Sequence, residues 1–150
     1  MLRAAHRTSR RKRGLIRSSL LCAALACSLA AAPSAAWANG YGETWSDGLA
    51  GRTIVHVIGR GTLVDWVDVG HQHTAEPWLN YCGRRTKTWG TKSDGTKATA
   101  YSLYESGCTP FVFYGATGLR GTFKNQTYVY GQAKHDGSWR PGKPRVLVWK

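Results

Sequence analysis

The stretch from Arg84 to Lys92 interleaves positively charged and aromatic side chains. Its candidate contact residues are Arg84, Arg85, Lys87, Trp89 and Lys92. Alternate residues of an extended strand share one face, so part of this set would present cations and an indole ring together. Cations attract anionic polymers, and flat rings stack against sugars or bases. The pattern therefore predicts a ligand-binding surface.

A second group of residues has the chemistry of metal ligands. His71, His73 and Glu76 lie within six residues, and in an extended chain the two imidazoles would point to one side. The stretch resembles the first metal motif of cupins, with Gly83 seven residues after the glutamate, but no second histidine motif follows. The simpler interpretation is a polar loop with solvent-facing histidines, so we expect no metal and no cofactor.

Acid–base chemistry is the third candidate. A small ribonuclease would need a carboxylate, a histidine and basic residues for the phosphate, and His56, Glu76, Glu105 and His135 supply those types. Any domain of this size contains such residues, and no local motif joins them. We therefore expect a protein without catalytic residues.

The first 38 residues read as a secretory signal peptide of bacterial type. Seven basic residues and no acidic one precede or border an apolar run at 20–32, and Ala36-Trp37-Ala38 provides a small-x-small cleavage site. The run is shorter than the roughly 20 apolar residues that a membrane span needs. We expect cleavage after Ala38 and a mature, extracellular protein with no membrane span.

Removal of that segment changes the charge. It holds seven of the 21 basic residues and none of the 8 acidic ones, so the remaining chain carries +6 instead of +13. Residues 39–80 have a net charge of −3 and residues 81–150 a net charge of +9. A basic half favours encounter with polyanions.

Two of the four cysteines lie in the predicted signal peptide, which leaves Cys82 and Cys108. In an exported domain such a pair predicts a disulfide. The spacing lacks the close cysteine pairs of zinc sites.

The rest of the chain predicts one all-β domain at 52–150, preceded by a loosely ordered arm at 39–51 in which residues 43–46 could add a short edge strand. Short β-branched and aromatic runs alternate with glycine-rich turns, and about seven strands result. Ser93-Asp94-Gly95-Thr96 predicts a type I′ hairpin turn, and His135-Asp136-Gly137-Ser138 is a second Asp-Gly turn. We expect a small antiparallel sandwich or a partly open barrel.

These observations favour a non-enzymatic binding protein for an extracellular target. That target would be a cell-envelope glycan, another polyanion or a protein, whereas nucleic acid is allowed but not favoured. The alternative is an exported antimicrobial protein or an inhibitor of a secreted enzyme, acting through a loop at 71–77 or 137–144. A metal-dependent or nucleolytic enzyme ranks third.

Overall fold

The computed structural model describes residues 38–46, 51–73 and 78–150. Throughout these ranges the chain forms β-strands joined by turns, and it contains no α-helix, hence none long and apolar enough to cross a membrane. The prediction of an all-β chain is confirmed. The predicted signal peptide lies outside the described residues, apart from its last residue, Ala38.

The strands form two antiparallel sheets. The first sheet contains β1 (Gly40–Ser46), β2 (Gly51–Arg60), β3 (Leu63–His73), β7 (Val112–Thr117) and β8 (Gly121–Thr122). The second contains β4 (Asn80–Thr91), β5 (Lys97–Tyr101), β6 (Glu105–Pro110), β9 (Thr127–His135), β10 (Ser138–Trp139) and β11 (Arg145–Val148). The strand order is β1-β2-β3-β7 with β8 beside β3, and β10-β9-β4-β5 with β11 beside β9 and β6 beside β4.

The described residues form eleven strands, whereas about seven were predicted. The additional strands are short or polar, so no hydrophobic run in the sequence indicates them. β6 is exposed at nearly every position, and β8 and β10 have two residues each. In the predicted arm, the edge strand considered at residues 43–46 is present and begins at Gly40. It pairs with β2 along its whole length.

Alternation of side chains explains which face of each strand is buried. In β2, Val55 and Val57 are fully buried while His56 and Ile58 face outward. The same period of two holds in β9, whereas β3 and β4 are each interrupted once at a register shift. The core between the sheets is rich in valine and consists of Ala38, Val55, Val57, Val64, Val67, Val69, Tyr81, Phe113, Leu119, Phe123, Val129, Ala133, Val146 and Val148.

The sheets approach closely at Gly131 of β9. A Cβ atom at this position would lie 2.8 Å from Val69 Cγ2 and 2.9 Å from Val55 Cβ. Real side chains do not tolerate such distances, so only glycine lets the middle of β9 reach the valines of the first sheet.

Hydrogen bonds also connect the two sheets where β4 meets β7. Thr86 Oγ1 donates to the Gly115 carbonyl at 2.9 Å, and the hydroxyls of Thr88 and Thr117 are 2.6 Å apart. Both threonines of β4 are fully buried. Their hydroxyls would be costly to bury without these partners.

The two Asp-Gly turns differ. Asp136 and Gly137 both have positive φ (49° and 77°), as a two-residue type I′ loop between β9 and β10 requires. At the other turn only Gly95 has positive φ, 87°, and the Gly95 amide donates to the Lys92 carbonyl. The type I′ prediction there is wrong, because a third residue enters the loop and produces a type I turn followed by a left-handed glycine.

The predicted disulfide is confirmed. Cys82 of β4 and Cys108 of β6 lie directly opposite each other with their Cα atoms 4.1 Å apart. Cys108 is exposed and Cys82 half-buried. The bridge therefore ties an exposed strand to the central strand of the second sheet.

Four aromatic residues lie in apolar runs of the sequence, which predicts that they belong to the core, but three of them are exposed. Trp66 is 48% exposed, Phe111 54% and Trp149 51%, whereas Phe113 is buried as expected. A strand packed on one side buries only alternate residues, and Trp66 takes the outward position opposite Ile58. Phe111 stands at the switch from β6 to β7 with φ of 67°.

Candidate functional site

The structure divides the predicted contact cluster between the two faces of β4. Arg85, Lys87 and Trp89 point outward, because the alternating residues Thr86 and Thr88 are fully buried. These three residues form one row on the second sheet, as the alternation rule predicts.

Arg84 and Lys92 do not join that row. Both stand an even number of positions from the buried Thr88, so alternation puts them on the side of the chain opposite the row. Arg84 instead forms an ion pair with Glu105 (2.6 Å). Lys92 donates to the Arg120 carbonyl, and its Nζ lies 4.9 Å from the centroid of the buried Phe123 ring.

Neighbouring strands add further rings and cations beside the row on β4. Tyr130 of β9 lies opposite Trp89, and their rings are stacked with centroids 5.3 Å apart and planes 6° apart. Tyr101 of β5 lies opposite Lys87, and the Arg85 guanidinium is 4.7 Å from the Tyr101 centroid. Cation–π contacts of this kind are worth about 0.5–1 kcal/mol at exposed sites.

Trp139 of β10 and the end of β9 complete the surface. The Nζ atoms of Lys87 and Lys134 lie 4.6 Å and 6.0 Å from the Trp139 centroid. Arg145 of β11 lies 4.4 Å from the centroid of Tyr128. We name this surface the basic aromatic face; it comprises Arg85, Lys87, Trp89, Tyr101, Tyr128, Tyr130, Lys134, Trp139 and Arg145.

The cations of the basic aromatic face keep their charge available. Among the described residues, no carboxylate lies within ion-pair distance of Arg85, Lys87, Lys134 or Arg145. Burial, together with the positive charge of Lys143, lowers the pKa of Lys87. Burial and the neighbouring positive charge both disfavour the charged form of Lys87. An anion that binds beside Lys87 would stabilise this charged form.

The candidate metal ligands His71 and His73 do not lie in the solvent-facing loop that the sequence favoured, because both belong to β3. His71 is fully buried and its Nδ1 is 2.9 Å from Thr53 Oγ1. His73 is half-buried beside it, with ring centroids 6.3 Å apart, whereas Glu76 lies outside the described residues. Within the ranges that the structure describes, no three His, Cys, Asp or Glu side chains are grouped to hold a metal ion.

A buried aromatic cluster surrounds His71 instead. The His135 ring lies 4.9 Å from His71 and 4.6 Å from Tyr81, and Phe113 packs against all three. His135 Nδ1 is 2.7 Å from Asp136 Oδ2. Partial burial raises the pKa of Asp136, but the hydrogen bonds from His135 and the Cys82 amide, together with the positive charges of His135 and Arg140, lower it more, so the pKa is lowered overall.

The candidate acid–base residues are not brought together. His56 faces outward on the first sheet, with its Nδ1 3.8 Å from Asp68. His135 is buried between the sheets, and Glu105 is engaged by Arg84. Glu76 lies outside the described residues. Of the described residues, therefore, no two of these candidates share a site.

No family model, curated protein or solved structure matches this chain. The site must therefore be interpreted from its own geometry. The sequence indicated the row on β4, but it did not connect that row with Lys134, Trp139 or Arg145. Those residues are 45–60 positions away in the chain and become neighbours only through strand pairing.

Proposed function

We propose that this protein is a secreted, non-enzymatic binding protein that holds an extracellular polyanion on its basic aromatic face. The observation that carries the proposal is the set of cations on this face, which rest against aromatic rings without an ion pair among the described residues. Aromatic neighbours restrict these side chains but do not neutralise them. Binding an anion then loses less side-chain entropy than it would with free lysines and arginines.

The shape of the face favours a polymer. Its members come from β4, β5, β9, β10 and β11, which lie side by side in one sheet. Neighbouring strands are about 4.8 Å apart, so the face extends across several strands. A repeating anionic chain can contact several cations at once, and each contact releases counterions.

The class of polyanion that we favour is a phosphate- or carboxylate-bearing glycan of a cell envelope. The rings can contact apolar sugar surfaces while the cations bind the anionic groups. The predicted signal peptide and the disulfide both support an extracellular location. Single-stranded nucleic acid combines rings and phosphates as well, and the experiment below separates the two.

The test is binding of purified protein to Gram-positive cell walls, before and after acid extraction of their phosphate polymers, across a salt series. We expect binding that weakens as salt rises from about 0.05 M to about 1 M, since screening reduces exposed electrostatic attraction. Extraction should remove most of it. Binding that is insensitive to both salt and extraction would refute the proposal.

Variants locate the interaction. Lys87→Ala should lower wall affinity about tenfold, the equivalent of one charge-assisted contact of about 1.4 kcal/mol. Arg60→Ala, an exposed cation of the first sheet, is the matched control and should change affinity less than about twofold. Equal losses would mean that net charge, not this face, governs binding. Tighter binding of a single-stranded oligonucleotide than of the wall polymer would contradict the glycan assignment.

A further inference from the structure

The outward side of the first sheet carries a second set of rings with a different chemical setting. Tyr41 is 58% exposed, Trp45 45%, Trp66 48% and Tyr114 58%. Strand register places these rings on one face. Tyr41 of β1 lies opposite His56, Trp66 of β3 lies opposite Ile58, and both His56 and Ile58 face outward from β2. We name this surface the first-sheet face; it comprises Tyr41, Glu43, Trp45, Arg52, His56, Trp66, Asp68, Gln72 and Tyr114.

The charges of the first-sheet face are paired within the face. Glu43 Oε2 accepts hydrogen bonds from Tyr41 OH and Arg52 Nη1, both at 3.0 Å. With the Gln72 amide oriented so that its oxygen faces Arg52, that oxygen accepts from Nε and Nη2 at 3.1 Å. Glu43 thus balances Arg52, and Asp68 lies beside His56, whose Nδ1 is 3.8 Å from its Oδ1. An anionic polymer therefore finds no excess of positive charge among these residues.

The rings of this face are open. Among the described residues, no cation lies over Tyr41, Trp45, Trp66 or Tyr114, in contrast to the rings of the basic aromatic face. The Tyr114 ring lies directly over Gly70, where any Cβ atom would overlap its Cε1. Glycine at this position therefore lets the ring rest on the sheet surface.

Open rings alternating with a planar hydrogen-bonding network match the chemistry of an uncharged sugar chain. The C–H face of a sugar packs against an aromatic ring, while adjacent hydroxyls bond to carboxylate, amide and guanidinium groups. Tyr41 and Trp45 are four residues apart on one strand, a separation of about 13 Å. That distance leaves room for more than one sugar ring between them.

We propose that the first-sheet face binds an uncharged, extended polysaccharide chain. This site lies on the opposite sheet from the basic aromatic face and does not depend on the function proposed above. Charge balance separates it from the polyanion site: the same protein would hold a neutral glycan on one side and an anionic polymer on the other.

The test uses co-sedimentation with chitin and with cellulose at about 1 M salt, where electrostatic binding to the basic aromatic face is screened. We expect salt-resistant pelleting on at least one of these polymers, with competition by the corresponding soluble oligosaccharide. Absence of pelleting on both would overturn the proposal.

Paired variants assign the face. Trp45→Ala should weaken retention at least tenfold, because it removes an exposed stacking ring. Trp78→Ala, at a tryptophan that is 73% exposed and belongs to neither face, is the matched control and should retain binding. Lys87→Ala should leave it unchanged, which distinguishes failure of this proposal from failure of the polyanion proposal. Retention that survives Trp45→Ala and Tyr114→Ala together would overturn the assignment, as would self-association of the wild type that Trp45→Ala abolishes.

Discussion

Removal of the Cys82–Cys108 bridge should destabilise the domain mainly through its unfolded state. The bridge closes a loop with a sequence separation of 26 residues. The loop-closure relation gives about 3.5 kcal/mol for a loop of this length at 25 °C. In the folded state little apolar contact is at stake, because Cys108 is exposed and Cys82 only half-buried.

The double substitution Cys82→Ala, Cys108→Ala is therefore expected to lower the free energy of unfolding by about 3.5 kcal/mol. For a domain of about 110 residues this corresponds to a drop in Tm of roughly 15 °C, from an unfolding entropy of about 2.1 cal/mol/K per residue. The measurements are urea unfolding and thermal unfolding of wild type and variant at neutral pH.

The slope of the urea transition separates the explanations. An opened loop lets the unfolded chain expand, so the m-value should rise in the variant. Wild type treated with reductant is the control and should match the variant, whereas reductant should not affect the variant itself. A loss below about 1 kcal/mol, or a loss with unchanged m-value, would refute an effect on the unfolded state.

Three further outcomes follow from the geometry. Gly131→Ala should destabilise the domain by about 1–3 kcal/mol, because its Cβ would collide with valines of the first sheet. A Cβ at Gly107 would have nothing within 4 Å, so Gly107→Ala is the control and should be close to neutral. Urea unfolding of the two variants compares their stabilities directly. The lowered pKa of Asp136 means that its stabilising contribution is complete above the unfolded pKa of about 3.9 and disappears as pH falls through the lower folded value. The advantage of wild type over Asp136→Asn should thus be constant down to about pH 5 and shrink progressively below it, and an advantage that stays unchanged between about pH 5 and about pH 2 would contradict the linkage. Gly70→Ala should displace the Tyr114 ring and weaken retention on the uncharged polysaccharide, while far-UV circular dichroism stays unchanged; full retention would show that the position of this ring is irrelevant.

The alternation of side chains was readable from the sequence because it is a local property of an extended backbone. Arg85, Lys87 and Trp89 share a face in the structure for that reason. The disulfide was equally accessible, since only two cysteines remain after the predicted signal peptide. The sequence located both Asp-Gly turns but not the type of turn: the type I′ geometry predicted at Ser93–Thr96 occurs instead at Asp136 and Gly137, where two residues separate the paired strands.

Exposure of the large rings was not readable in the same way. Trp66 lies within an apolar run, yet its side chain faces outward, as does that of Ile58, its partner on the neighbouring strand. An apolar run indicates that a strand exists, but the choice of buried side depends on which residues the opposite sheet can pack against. Alternation also accounts for Arg84, which lies on the same side of β4 as the buried Thr86 and pairs there with Glu105; which carboxylate it meets depends on the pairing of β4 with β6.

The sequence by itself determined the class of structure, the cysteine pair and the row of cations and rings along β4, because residue type, pairing arithmetic and a period of two are properties of short stretches. Only the tertiary structure decided which strands lie beside that row. It placed Tyr130 against Trp89 and Lys134 opposite Arg85, and it put a second, charge-balanced set of rings on the other sheet. Strand register is set by long-range burial of the valine core, and no local pattern specifies it.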